Sequence, residues 1–142
     1  VRRCAELCGN PSAAVLSGGG NDIALSTSVT TVETAAANLA SWLQDRGIPT
    51  VWVTIYPFPS VSPAYPLFNL QRRAYNDWLR SGGPEWGTVV DLDPVLGGDS
   101  LDPQFRVCTP SAPADIHANN AGYAVGATAI TQTLAHLLVG SG

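Results

Sequence analysis

The segment Thr50-Val51-Trp52-Val53-Thr54-Ile55-Tyr56 constrains this chain most, because every residue in it is β-branched or aromatic and none is charged. Residues of those kinds pack well on a pleated surface and crowd a helix, so the segment reads as a strand. Shorter runs, Ala13-Ala14-Val15-Leu16-Ser17 and Thr88-Val89-Val90-Asp91-Leu92, stand on either side of it, with amphipathic stretches between. That alternation is the signature of parallel βαβ units. In the first stretch Thr30 and Glu33 form a capping box, and Val32, Ala36, Leu39 and Leu43 repeat at helical spacing as far as Gly47. A Pro-rich loop from Pro57 to Pro66 leads to a second helix with Leu67, Leu70, Ala74 and Trp78 on one face. A final helix carries Tyr123, Ala127, Ile130, Leu134 and Leu137 on one stripe. The predicted order is β-α-β-α-β-α, with Val1 to Leu7 as the tail of an earlier helix. A parallel sheet of three strands is thin, and its edges are normally covered. Pairing with another copy through an exposed edge, as a homodimer, is therefore an expectation.

The 142 residues are expected to form a single domain over 1–142. A hydrophobic fraction of 45% with 13% charged residues describes a compact fold and not a disordered chain. No apolar run approaches the roughly 20 residues needed to cross a bilayer. The net charge of -4 and the lack of a basic run argue against nucleic acid or anionic membrane as partner. The chain starts at Val1 and has no Met, so its start is expected to be a cut or a processing product, or else a GTG-initiated frame. Cys4, Cys8 and Cys108 leave at least one thiol unpaired. A bridge from Cys4 or Cys8 to Cys108 would fit a secreted protein, and three free thiols a cytoplasmic one. No Cys/His cluster has metal-ligand spacing, so neither a metal nor a cofactor is expected.

Two motifs carry chemistry. Gly18-Gly19-Gly20-Asn21-Asp22 follows the first strand, on the edge of an α/β sheet where ligands bind. Small residues there expose backbone N–H groups, and the Asn amide is a further donor, so both can stabilise a developing oxyanion. The bland alternative is an ordinary turn closed by Asn-Asp. Asp115-Ile116-His117, with Asn119-Asn120-Ala121-Gly122-Tyr123 after it, stands at the end of a long loop from residue 93 to 119. A long loop of this kind is usually functional. A His oriented by a carboxylate is the usual general base of a hydrolase. Its bland alternative is a loop His that caps the last helix. His136, inside that helix and without an acidic neighbour, reads as a surface residue.

Together the motifs resemble the SGNH (GDSL-type) hydrolase family over roughly residues 13 to 138. Gly19-Gly20-Asn21-Asp22 is similar to the family's Gly-x-Asn-Asp block, and Asp115-Ile116-His117 to its Asp/His block. Val53-Thr54-Ile55-Tyr56-Pro57 and Arg73-Ala74-Tyr75-Asn76-Asp77-Trp78-Leu79 resemble the strand and helix between them. The resemblance implies a flavodoxin-like three-layer α/β/α sandwich, N-terminally truncated, and ester hydrolysis by Ser, His and Asp. It makes His117 the general base, Asp115 its orienting acid, and Asn21 with Gly19 or Gly20 the oxyanion donors. A small ester or an acetylated carbohydrate is the implied substrate. Three departures stand out. The acid is two residues before His117 instead of three, Ala118 replaces a Pro, and the N-terminal Gly-Asp-Ser-Leu block is missing. A literal Gly98-Asp99-Ser100-Leu101 occurs instead in the loop after the third strand, which makes Ser100 a candidate nucleophile in an unusual place. Ser17 is a weaker one, and a serine on a missing N-terminal segment a third. The competing expectation is a non-catalytic fragment or pseudoenzyme that kept the fold as a binding or structural module.

Overall fold

The computed structural model of the chain describes residues 9, 11–57, 66–83, 87–98, 105 and 117–139. Three strands, β1 (Ala14–Ser17), β2 (Thr50–Val53) and β3 (Thr88–Val90), form one parallel sheet in the order β1-β2-β3. Ala14 lies opposite Thr50 and Val51 opposite Thr88. The helices are α1 (Gly20–Ala24), α2 (Val29–Gln44), α3 (Phe68–Arg80) and α4 (Asn120–Val139). The first three cover one face of the sheet and α4 the other, which is the expected α/β/α layering.

The central strand explains why its sequence lacks alternation. All four residues of β2 are buried, because helices lie on both faces. Trp52 joins Leu16, Ile23, Val32, Ala36, Leu43 and Phe68 on one side. Val51 and Val53 join Val90, Leu92 and Leu96 on the other, beneath Val125, Ala129 and Ile130 of α4. Each such large side chain contributes roughly 1.5–3 kcal/mol relative to exposure. β1 is covered less evenly: Leu16 is buried at 6% exposure, while its neighbour Val15, pointing to α4's side of the sheet, is 41% exposed.

Three helix expectations need correction. The cap of α2 is Ser28, whose side chain accepts the Thr31 N–H at 3.2 Å, so Thr30 and Glu33 sit inside the helix and form no box. The buried stripe is Val32, Ala36, Ala40 and Leu43, with Leu39 only partly covered. In α3 the apolar stripe faces the wrong way: Leu67 and Leu70 are exposed, and the buried face is Phe68, Arg72, Tyr75, Asn76 and Leu79. Two polar residues in the core of that face defeat a reading based on hydrophobicity. In α4, Tyr123 and Ala127 are exposed, and the fully buried residues are Gly122 and Gly126. At Gly126 a Cβ would already stand 3.3 Å from Leu92, so the missing side chain lets the helix sit close to the sheet.

Past Val53 the strand is continued by side chains. The Thr54 N–H donates to the Val90 carbonyl at 3.1 Å, and its hydroxyl donates to Asp91 while accepting from Leu92 N–H. Arg80, at the end of α3, donates to both oxygens of Asp91 (2.9 and 3.0 Å), to Asp93 (3.0 Å) and to Asp77 (2.8 Å). Partial burial pushes the Asp91 carboxyl up, but the hydrogen bonds and charge of Arg80 outweigh it and hold Asp91 below the ordinary carboxylate value. A carboxyl held down in the folded state stabilises the fold at neutral pH. That share fades as pH falls below the unfolded value of about 3.9, through the lower folded value. Arg80→Met should therefore move the midpoint of acid unfolding, followed by far-ultraviolet circular dichroism, to higher pH. An unmoved midpoint would contradict the assignment.

Candidate active site

The glycine turn is built by the need to reverse direction in no space. β1 ends at Ser17, and Gly19 then takes φ 90° as it caps α1. A Cβ on Gly19 would lie 2.8 Å from Val32 Cγ1, 3.5 Å from Ile55 Cδ1 and 3.7 Å from Tyr75 Cε1. Both the left-handed backbone and the crowding therefore require glycine. Gly20 has an ordinary φ, and its nearest neighbour would be Ile55 Cγ2 at 3.5 Å. The Asn-Asp pair forms the first turn of a short helix and not a simple turn: the Ile23 N–H donates to the Gly19 carbonyl at 2.9 Å. The N–H groups of a first helical turn have no intrahelical acceptor, and Asn21 and Asp22 of this turn are exposed.

His117 is exposed and directly precedes the buried Ala118. The cap of α4 is Asn119, not His117: its side-chain oxygen accepts the Gly122 N–H at 3.0 Å, and its own N–H donates to the Phe105 carbonyl at 2.6 Å. The sequence already carries this signal, an Asn before a helical run, but the neighbouring histidine draws the reading away from it. Ala118 and Gly122 are both small because a Cβ on Gly122 would already touch the Ala118 Cβ at 3.0 Å.

These two segments border one cleft of about 690 Å³ at the carboxyl ends of β1 and β2. Gly19, Gly20, Asn21 and His117 all line it, and so does Ser17. Its floor is apolar, with Val53, Ile55, Leu92 and Leu96, and its far wall is Tyr123, Ala127 and Ile130 of α4. Tyr56 lines it too. Asp115, Ser100 and the three cysteines also fall outside them. His136 sits exposed in the last turn of α4 and takes no part in the cleft. A second groove of about 350 Å³ shares Ser17, Gly18, Gly19 and Asp22 with the cleft and runs along β1 past Val15, Ala35 and Leu39. Tyr75 lines this groove, and burial, followed by the charges of Glu33 and Asp22, pushes its phenol up to about 12. It stays protonated at neutral pH and offers no base.

Among the described residues no group of three or more His, Cys, Asp or Glu could hold a metal ion. No described helix is long and apolar enough to cross a membrane. Residues 5–125 match the model of the GDSL-like lipase/acylhydrolase family. The chain belongs to that family. Among solved structures, the chain is similar to a protein of Bacteroides fragilis NCTC 9343 assigned as an acylhydrolase, at 17% identity and a TM-score of 0.75. The match covers 90% of this chain and 63% of that one. A GDSL-like lipase of Bacteroides thetaiotaomicron VPI-5482 gives 16% identity and a TM-score of 0.64, over 86% of this chain and 61% of that one. At such identities the likeness bears on the fold alone, and the chain spans just over three-fifths of each structure. No curated protein sequence matches the chain.

The two glycines of the turn should behave differently. Gly19→Ala is expected to cost about 1–3 kcal/mol through backbone strain, with the Val32 clash added. Gly20→Ala should stay within about 1 kcal/mol of the parent. Urea unfolding of the two variants measures both, and equal losses would contradict the geometry.

Proposed function

We propose that this chain supplies the general base and the oxyanion donors of a serine-type ester hydrolase acting on small esters. The observation that carries the reading is that His117 and the Gly19-Gly20-Asn21 turn, remote in sequence, border one cleft at the ends of parallel strands. In the proposed reaction a serine Oγ attacks the ester carbonyl while His117 takes the hydroxyl proton. The carbonyl oxygen becomes an oxyanion that accepts hydrogen bonds from Asn21 Nδ2 and a Gly19 or Gly20 N–H. Collapse breaks the bond to the alcohol, which leaves with the proton from His117. Water then attacks the acyl-serine by the same route and releases the acid. Asp115 holds the imidazole ring in the orientation this requires.

Three serines are candidates for the nucleophile. Ser100 belongs to the segment that leads from β3 to His117, and Ser17 lines the cleft. The third is a serine on polypeptide outside this sequence, for which β1 leaves an outer edge unpaired among the described residues. The same edge is where a second copy would pair, and a light-scattering mass equal to one chain would count against that dimer. Of the substrates the family suggests, the apolar floor of Val53, Ile55, Leu92 and Leu96 suits the acyl group of a simple ester.

Hydrolysis of a short p-nitrophenyl ester should fall about 10²-fold or more in His117→Ala, and by a similar factor in kcat in Asn21→Ala. Unchanged turnover in His117→Ala would remove the base assignment. Reaction with a fluorophosphonate, followed by mass spectrometry, should place the label on one serine. A complete absence of labelling and turnover would instead favour a non-catalytic module of the same fold.

A further inference from the structure

We propose that Asn76 and Arg72 of α3 are positioning residues for the oxyanion turn, acting through the backbone of Ile55. The inference rests on the reading of Gly19 to Asn21 as oxyanion donors. Both side chains are wholly buried, where an unpaired polar group is costly. The Asn76 amide accepts the Ile55 N–H at 2.9 Å and donates to the Ile55 carbonyl at 2.8 Å. That pair of bonds is what a neighbouring strand would give Ile55 if the ladder, which ends at Val53 and Ser17, continued. Arg72 Nη1 donates to the same carbonyl at 3.4 Å and is paired with Asp93 Oδ1. Its Nη2 donates to the Gly98 carbonyl at 3.0 Å, and its Nε to Asn69 at 3.1 Å. The second oxygen of Asp93 accepts from Arg80 at 3.0 Å and from Asn76 at 3.4 Å.

The consequence reaches the cleft through one side chain. Ile55 is the surface against which both glycines lie, its Cδ1 and Cγ2 each at contact distance from where a Cβ would stand on Gly19 and Gly20. Val32 presses on Gly19 from another direction. A turn held between two such neighbours follows Ile55 when that residue moves. The clamp also fastens Gly98, at the end of the turn that puts Leu92 and Leu96 on the cleft floor. A buried ion pair gives little net stability compared with apolar residues of the same volume. Its use here is placement: one guanidinium and one amide fix the strand end and the turn after β3 in a single geometry.

The test uses Asn76→Asp, which keeps the shape but loses the Nδ2 donor and turns a carboxyl oxygen toward the Ile55 carbonyl. In ¹⁵N-labelled protein the amide resonances of Gly19, Gly20 and Asn21 should move by more than their linewidth. Leu79→Val, a buried apolar change in the same helix, should leave them in place even though it too lowers the melting temperature. If Asn76→Asp does not fold, native-state hydrogen exchange on the unaltered protein decides. The Ile55 and Ile23 amides should then exchange as one unit with the same urea dependence. Unmoved glycine resonances in Asn76→Asp, or an Ile23 amide that opens separately from Ile55, would overturn the proposal. The readout needs no turnover, so loss of the hydrolase reading would remove the oxyanion role of the turn while the hold of Asn76 and Arg72 on its position is still tested.

Discussion

The two hydrogen bonds between the Asn76 amide and the backbone of Ile55 hold the point where sheet, helix layer and cleft meet. At the carboxyl end of β2 the ladder stops, yet the chain must remain in strand geometry long enough to place Ile55 and Tyr56 at the cleft. A side-chain amide has the same donor and acceptor as a peptide group, so it can serve as the missing neighbour. Leaving the Ile55 groups unsatisfied in that buried place would cost roughly 1–3 kcal/mol each. The arrangement obliges α3 to turn a polar face inward, and the Arg72–Asp93 pair with Arg80 behind it is the result.

That obligation also decided what could be read from sequence. The strands and their alternation with helices followed from apolar runs and helical spacing, because β2 is buried on both faces and advertises it in its composition, while the layering was what the family resemblance implied. The inward face of α3 was illegible for the opposite reason. Arg72 and Asn76 count as surface residues in any hydrophobic pattern, so Leu67, Leu70 and Ala74, all exposed, supplied a false stripe, of which only Trp78 packs partly against the core. The cap of α2 was displaced for a local reason: Ser28 and Thr30 are both capping residues, and only geometry shows which side chain meets an orphan N–H. In the candidate site the glycines and His117 were legible as residue types with a chemistry. Both follow strand ends, so a common rim was legible as well, while the apolar residues between them, Val53, Ile55, Leu92 and Leu96, were not legible as one surface.

Gly19 shows how the fold and the candidate chemistry share a cause. Its position needs a left-handed φ and no side chain because β1 must hand over to α1 against Val32 and Ile55. The same residue lines the cleft, with no side chain between its backbone and the open space. A residue selected only for the turn and one selected only for donor access would be the same residue, which is why the turn alone could not separate the functional reading from the structural one. His117 borders the same cleft, a placement that packing around the turn does not require.

The uneven covering of β1 leaves an open surface beside the cleft. Leu16 is sealed beneath α2, while Val15 on the opposite face and the outer edge of the strand lie open among the described residues. Parallel strands are normally covered on both faces and protected at their edges. Ser17, Gly18, Gly19 and Asp22 line the cleft and also the groove along β1, so the two form one continuous surface. A polypeptide paired with the end of β1 would therefore lie beside the glycine turn.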